Sequence, residues 1–421
     1  METQVPKIVE MVVAELGKGI NPGDTAWILV STALVLMMTP ALAFFYGGMV
    51  RRKNILSTLN LSFIMMGVIG VQWVLYGYSL AFGSDIGGGL LGGGQFVLLK
   101  GVTAAPQEGS TIPHLLFAAF QGTFAVITPA LISGALVERV RFATFLVFSL
   151  LWATLVYDPL CHWVWGPGGW IAAMGALDFA GGTVVHIAAG FSALAFALAI
   201  GRRRGFGSAP LEPHNIVYTV LGAGLLWVGW FGFNAGSALG ANGQAVYALV
   251  NTNTAAAAAA CGWMLTAWLD SGKPSVLGIA TGAVVGLVAI TPGAGFVTPA
   301  GAIVIGALAA PVSYYMIKAR QGWGLDESLD VFACHGMAGL WGAIATGILA
   351  APEVGQAAGL LYGNPLQLWI QVKASLITIV FVFVVTFVLA KVLDAVMGLR
   401  VSQLEEEVGL DLCDHGERAY N

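Results

Sequence analysis

Two stretches carry a histidine inside an apolar run of membrane length: GALDFAGGTVVHIAAG at 175–190, with Asp178 and His186, and LDVFACHGMAGLWG at 329–342, with Asp330 and His335. The other histidines fall at span ends (His114, His162, His214) or in the C-terminal tail (His415), so His186 and His335 are the natural pair. An ionisable side chain inside a bilayer is costly and rarely stays there without a partner or a role. One such histidine reads as a buried polar residue bonded to a neighbouring helix, but two in matching settings point to function. Imidazole gains and loses a proton near neutral pH, which suits a proton relay or the handling of a weak base. Asp178 reads differently. It sits where an N-cap would satisfy the free N–H groups of the following helix, and is expected to hold the geometry rather than to meet a substrate. Cys334 adjoins His335, but neighbours on a helix point about 100° apart, so it reads as a small buried residue and not as a metal ligand.

The elements that position these residues follow from composition. With 57% hydrophobic and 10% charged residues, the chain lacks the charged share of a soluble globule, typically about 25%. It reads as an all-α polytopic membrane protein. No basic footprint for nucleic acid is present, and the four cysteines show no CxxC spacing, so neither a disulfide framework nor a metal site nor a cofactor is expected. Apolar windows of about 20 residues give eleven spans, at 26–48, 55–82, 113–137, 142–164, 180–201, 214–235, 243–269, 274–291, 299–318, 329–350 and 367–397. Arg51, Arg52, Lys53, Arg139, Arg141, Arg202, Arg203, Arg204, Lys273, Lys318 and Arg320 fall on alternate loops, whereas the opposite set holds only Lys100. By the positive-inside rule the N-terminus is outside and the C-terminus cytoplasmic. Residues 1–25 read as a retained, extracytoplasmic amphipathic segment, because Glu10 and Glu15 interrupt its apolar run.

Spans 1–5 and 6–10 can be set against each other as two halves, each ending in a span with an internal histidine. Five is odd, so the second half is inverted relative to the first. At about 1.5 Å per residue, His186 lies roughly 12 Å beyond Asp178 and His335 about 7 Å beyond Asp330. Across a core of about 30 Å the two approach from opposite faces and stop short of contact unless vestibules recess the surface. Glycine, at 57 of 421 residues, is about twice its usual share of roughly 7%, and its place beside Ala and Ser within spans predicts close helix approach. The glycine-rich GSDIGGGLLGGGQ stretch lacks a strand-loop-helix context and reads as an external loop.

Aromatic residues gather at the outer span ends in FAAFQGTF (117–124), CHWVWGPGGW (161–170) and GWFGFNAGS (229–237). An interfacial aromatic belt explains them individually. Trp165 and Ser237 nevertheless sit at span mouths, where an aromatic face and a hydroxyl can replace water around a small cation. No acidic ring accompanies them, which argues against a metal-cation filter. The tail at 398–421 carries Glu405, Glu406, Glu407, Asp411, Asp414 and Glu417 and, on composition alone, reads as a solvated segment.

Together GALDFAGGTVVH, GWFGFNAGS, FQGTF, FFYGGMVRRKN (44–54) and the tail GLRVSQLEEEVGLDLCDHGERAY resemble the ammonium transporter family related to Rhesus proteins, over essentially all of the chain from residue 26. The resemblance implies eleven transmembrane helices in two inverted five-helix halves plus a final helix, a cytoplasmic regulatory tail, a plasma-membrane location and a homotrimer with one pore per subunit. By motif, Phe124, Trp165 and Ser237, with Phe120 beside them, match the external ammonium-recruitment site, and Phe124 with Phe233 the stacked gate. His186 and His335 match the paired pore histidines; Trp230, Leu131, Leu226 and Ile127 line the apolar path, and Asp178 is the acidic residue near its outer end. Phe117 departs from the pattern, standing where some members have histidine, and WGPGGW is slightly longer than the shorter form. The tail's resemblance implies docking of a P-II-type signalling protein.

Ammonium transport is the leading function that follows, with ammonia as the conducted species and the proton either left behind or routed separately. A receptor that binds ammonium and signals through its tail with little flux is the alternative from another class, favoured by appended signalling domains. A membrane enzyme using His186 and His335 lacks a nucleophile or metal set, and a neutral-gas channel would not need the cation-directed mouth.

Overall fold

The computed structural model describes residues 19–420; of the segment 1–25 read as amphipathic, residues 1–18 lie outside the described residues. Those described are helical, with isolated β-bridges and no strand. The helical segments are α1 (Pro22–Met49), α2 (Arg52–Phe82), α3 (His114–Ser133), α4 (Phe142–Ala173), α5 (Gly182–Ile200), α6 (Ile216–Ala235), α7 (Gly243–Ser271), α8 (Val276–Ile290), α9 (Pro299–Gly322), α10 (Phe332–Leu349) and α11 (Pro365–Met397). Among the described residues nine are long and apolar enough to cross a bilayer. The two expected spans outside that set are both helical. α8 is a short apolar helix of 15 residues, and α7 dilutes its 29 residues with Asn251, Thr252, Asn253 and Thr254.

Helix ends follow local chemistry. α1 begins four residues before the apolar window because Asn21 accepts from Gly23 N and Asp24 N at 2.8 and 3.1 Å, with Pro22 at the first helical position. Asn242, Ser275 and Thr298 cap α7, α8 and α9 in the same way. Among the described residues five π-helical turns interrupt the α-helices, at Trp73–Gly77, Ala153–Tyr157, Gly182–Ile187, Phe231–Ala235 and Phe332–Met337. Such turns widen a helix by one residue and often mark functional positions. Both candidate histidines and Phe233 lie in them.

One end of the bundle is tied by a buried ion-pair network drawn from four loops. Glu138 accepts from Arg51 Nε at 2.9 Å and from Arg203 Nη1 at 2.8 Å, and Arg203 also pairs with Asp326 at 2.8 Å. Burial pushes both carboxyls up, but the arginines outweigh it and leave Glu138 and Asp326 below their usual range. The tail, solvated on composition alone, docks onto this end as two short helices, α12 (Gln403–Val408) and α13 (Leu410–His415). Ser402 and Glu405 form a capping box at α12. Lys53 Nζ donates to the Glu406 carbonyl at 2.7 Å, Leu410 N donates to Asn54 Oδ1 at 2.9 Å, and Arg204 N donates to Glu406 Oε2 at 3.0 Å.

Removing one partner of a buried pair leaves the others uncompensated, at about 3–5 kcal/mol. Glu138→Gln is therefore expected to lower the thermal unfolding midpoint clearly in detergent. Because the folded carboxyl pKa values are depressed, this stabilisation is complete above the ordinary carboxylate range near about 4 and is lost as pH falls through the depressed values. The midpoint of the native chain should fall more steeply over that acid window than that of Glu138→Gln; equal slopes would remove Glu138 from the linkage.

Candidate functional site

The site is built where α5 crosses α10. A Cβ on Gly190 would lie 2.1 Å from Gly336 N, so the backbones meet without side chains between them. One helical turn before this crossing on α5, and next to it on α10, the two imidazoles meet. His186 Nδ1 and His335 Nδ1 are 3.3 Å apart and the rings stack at 5.4 Å between centroids and 29° between planes. Both are buried. Two facing Nδ1 atoms share one hydrogen bond, so one ring carries its proton there and the other accepts.

Contact between the rings corrects the expectation that they stop short of each other. Counting from Asp178 at regular helix rise misplaces His186, since residues 178–181 are not helical, Gly181 adopts φ +118°, and α5 starts at Gly182. The π turn then closes with His186 N donating to Gly181 O at 3.0 Å. On the second stretch, Asp330 has φ +60° and pairs with Arg320, and α10 begins after it. Neither aspartate is inside its helix. Asp178 still caps α5 from a distance: its carboxylate accepts from Gly181 N, Gly182 N and Thr183 N at 2.7–2.8 Å, from Val184 N at 3.3 Å and from the Thr183 hydroxyl. The carboxylate is saturated by donors at the start of the helix, where the dipole also favours it.

From His186 a column of rings runs to one end of the bundle. His186 stacks on Trp230 at 5.4 Å and on Phe233 at 5.9 Å, each at 22°. Trp230 Nε1 donates to Thr291 Oγ1 at 2.9 Å, which fixes the indole. Phe233 packs on Phe124 at 4.4 Å, and Phe124 meets the edge of Trp165 at 6.1 Å. Trp165 Nε1 donates to the Asp178 carbonyl at 2.9 Å, so the acid's own backbone orients the indole. Beyond Phe124 opens a cavity of about 420 Å³ lined by Phe124, Trp165, Asp178 and Ser237. Ser237 Oγ donates to the Phe233 carbonyl at 2.8 Å, leaving its oxygen lone pairs to accept a bond. Phe120 is brought to Phe124, 5.0 Å away, but is fully buried and does not line this cavity. Ile127, Leu131 and Leu226 are buried, on α3 and α6. On the far side, His335 and Asp330 line a second cavity of about 240 Å³ together with Tyr46, Trp263 and Tyr314.

Several residues at the site were not singled out from the sequence. Gln121 lines the first cavity, and its Oε1 is buried without a protein partner. A polar residue one turn before Phe124 in an otherwise apolar helix was the available signal. Gln244, Phe179 and Phe296 line the same cavity from distant segments. Gln371 on α11 accepts from Leu177 N at 2.7 Å and donates to Leu177 O at 2.8 Å, clamping the residue before Asp178. Nothing in α11's apolar pattern points to that clamp.

Known proteins resemble this chain over nearly all of its length. The profile of the Ammonium Transporter Family matches residues 26–420. The ammonium transporter Amt1 of Archaeoglobus fulgidus is 52% identical over 95% of this chain and 100% of that protein. The crystal structure of Candida albicans Mep2 superposes with a TM-score of 0.88 at 36% identity, covering 96% of this chain and 92% of that one. A structure described as a sensor Amt protein superposes with a TM-score of 0.87 at 26% identity, covering 93% and 98%.

The crossing itself is open to test. Gly190→Ala should destabilise the fold by about 1–3 kcal/mol through overpacking against α10, read as a lower thermal midpoint. Gly224, also helical but with nothing within 4 Å of a built Cβ, provides the control, and Gly224→Ala should leave the midpoint level or raised. Equal behaviour of the two variants would show that the crossing is not tight.

Proposed function

The chain belongs to the ammonium transporter family, and from that premise we propose that it recruits ammonium at the Trp165 cavity, strips a proton and conducts ammonia past the paired histidines. As a multi-pass membrane protein of the cell membrane, it works where a bare charge is expensive to move through apolar surroundings. The observation that carries the reading is the stacked His186–His335 pair, which bridges an aromatic column to a second cavity.

In this reading, Trp165 and Phe124 offer ring faces and Ser237 an acceptor oxygen to a dehydrating ammonium ion. Asp178 makes no direct bond to the cation in this reading, since its oxygens already accept from backbone N–H groups; it holds the start of α5 and the Trp165 indole. Phe124 and Phe233 then exclude water and act as the gate, and Trp230, Ile127, Leu131 and Leu226 form the apolar wall. Ammonia bonds along His186 and His335, which either remain neutral while the proton is left to water on the entry side or pass that proton by a separate route. Potassium matches ammonium in size but can neither donate hydrogen bonds nor lose a proton, so it is rejected at the dry section. The protein is no enzyme in this scheme, in line with relatives named as transporters.

The same proposal includes eleven spans, α7 and α8 among them, with the membrane domain at 26–397, the N-terminal segment 1–25 outside and the tail 398–421 in the cytoplasm. It also takes the two halves as inverted repeats meeting at α5 and α10, and the assembly as a homotrimer. The docked tail is the proposed landing site for a P-II-type signalling protein. A sensor with little flux is the second reading, favoured by the likeness to the sensor Amt protein.

An ammonium pulse on proteoliposomes separates these readings. The native chain should give a transient current with no response to potassium, and His186→Ala and His335→Ala should lose the current or its selectivity. Uptake without current would mean that neutral ammonia alone crosses; ammonium binding with neither uptake nor current would support the sensor. Truncation after Val401 should retain flux and abolish P-II binding in a pull-down, and binding that survives would move the partner's site off the tail.

A further inference from the structure

A second ionisable group lies inside the bilayer, away from the histidines. Asp158 sits at the end of the π turn Ala153–Tyr157 in α4 and is fully buried. Its Oδ2 accepts from Gln72 Nε2 at 2.7 Å, while its Oδ1 has no partner. Gln72 precedes the π turn Trp73–Gly77 in α2, and its Oε1 is equally without a partner. The two side chains thus share one hydrogen bond and leave one oxygen each unsatisfied. No lysine, arginine or histidine pairs with Asp158 among the described residues.

The surroundings are shaped for this pair. A Cβ on Gly77 would lie 2.6–2.9 Å from the Gln72 carboxamide, so a glycine one turn on makes the room that the amide occupies. The same two helices touch again through Trp73 and Tyr157, 6.4 Å apart, and through His162 Nδ1, 2.9 Å from the Ala81 carbonyl. Between them these contacts pin the short helix Asp158–Trp165, whose last residue is the indole of the proposed recruitment site.

An ionised carboxylate here would be a desolvated charge with a single donor, and its free oxygen would add to that of the amide. One proton removes both faults. It neutralises the acid and supplies the missing donor for Gln72 Oε1, closing a two-bond acid–amide pair. We propose that Asp158 is a proton-binding site within the membrane, held as a neutral carboxylic acid by Gln72 and separate from the histidine pair. The proton stays on Asp158 Oδ1 and is shared with Gln72 Oε1; no charge crosses the α2–α4 contact, and the clamp on the Trp165 helix is uncharged. Transport by this chain is not a premise of the proposal.

Infrared spectroscopy of the full chain in bilayers reads this directly. The native protein with isotope-labelled aspartate should show a protonated-carboxyl carbonyl band at neutral pH that shifts on labelling and again on exchange into heavy water. Asp158→Asn should lose that band, and Gln72→Leu, which removes the donor to Oδ2, should shift it. Loss of ionised-carboxylate bands in Asp158→Asn, with the protonated-carboxyl region unchanged, overturns the proposal. If Asp158→Asn does not accumulate, Gln72→Leu decides alone: a band that moves supports the pair, and a band that stays where it was overturns it.

Discussion

Backbone meets backbone where α5 crosses α10, and the histidine pair depends on that approach. In a bilayer, apolar side chains gain little by leaving lipid for protein, so helices associate through close packing and polar contacts. Gly190 against Gly336 gives the first, and the Nδ1–Nδ1 bond gives the second. The aromatic column is aligned by the same crossing, because His186 is its innermost ring and Trp230 and Phe233 stack on it at a common tilt. Displacing the crossing would break the hydrogen bond between the imidazoles and the stack above it at once.

A second constraint shapes the entrance to α5. Every backbone N–H at membrane depth needs an acceptor within the protein, and the first turn of a helix has none of its own. Asp178 serves several of them at once, and its carbonyl receives the Trp165 indole. One residue thereby links a helix start to the wall of a cavity. The π turns solve a related problem, rotating His186, Phe233 and His335 without breaking their helices.

Much of this was legible in the sequence. Membrane-length apolar runs, the isolation of His186 and His335 and the capping role of Asp178 all follow from residue types and spacing. The contact between the rings was not, because regular helix rise carries no signal for a non-helical 178–181 segment, a left-handed Gly181 or π turns. α7, read as a span from the sequence, falls outside the membrane-length apolar set because Asn251, Thr252, Asn253 and Thr254 lie in its middle, and the first two of these are buried against other helices. The tail's composition suggested solvation, yet Glu406 is buried, paired with Arg400 and accepting from Arg204 N; a hydrogen bond across more than 200 residues has no local trace. Gln244 and Gln371 were missed for the same reason, since their roles depend on segments far away in the chain, whereas Gln121 stood out locally as a polar residue in an apolar helix.

The network around Glu138 bears on how the protein is made. Its members emerge from the ribosome in the order Arg51, Glu138, Arg203, Asp326, with the tail's Glu406 last. Each is stable as a hydrated charge at the membrane surface until its partners arrive, and none can be buried alone. Early helices can insert one after another, but this face cannot dry until α9 has emerged and the segment carrying Asp326 has folded back. Closure of this end is thus a late event in biogenesis, and a chain stalled before residue 326 would present a wet, charged seam that quality-control proteases could distinguish from the finished protein.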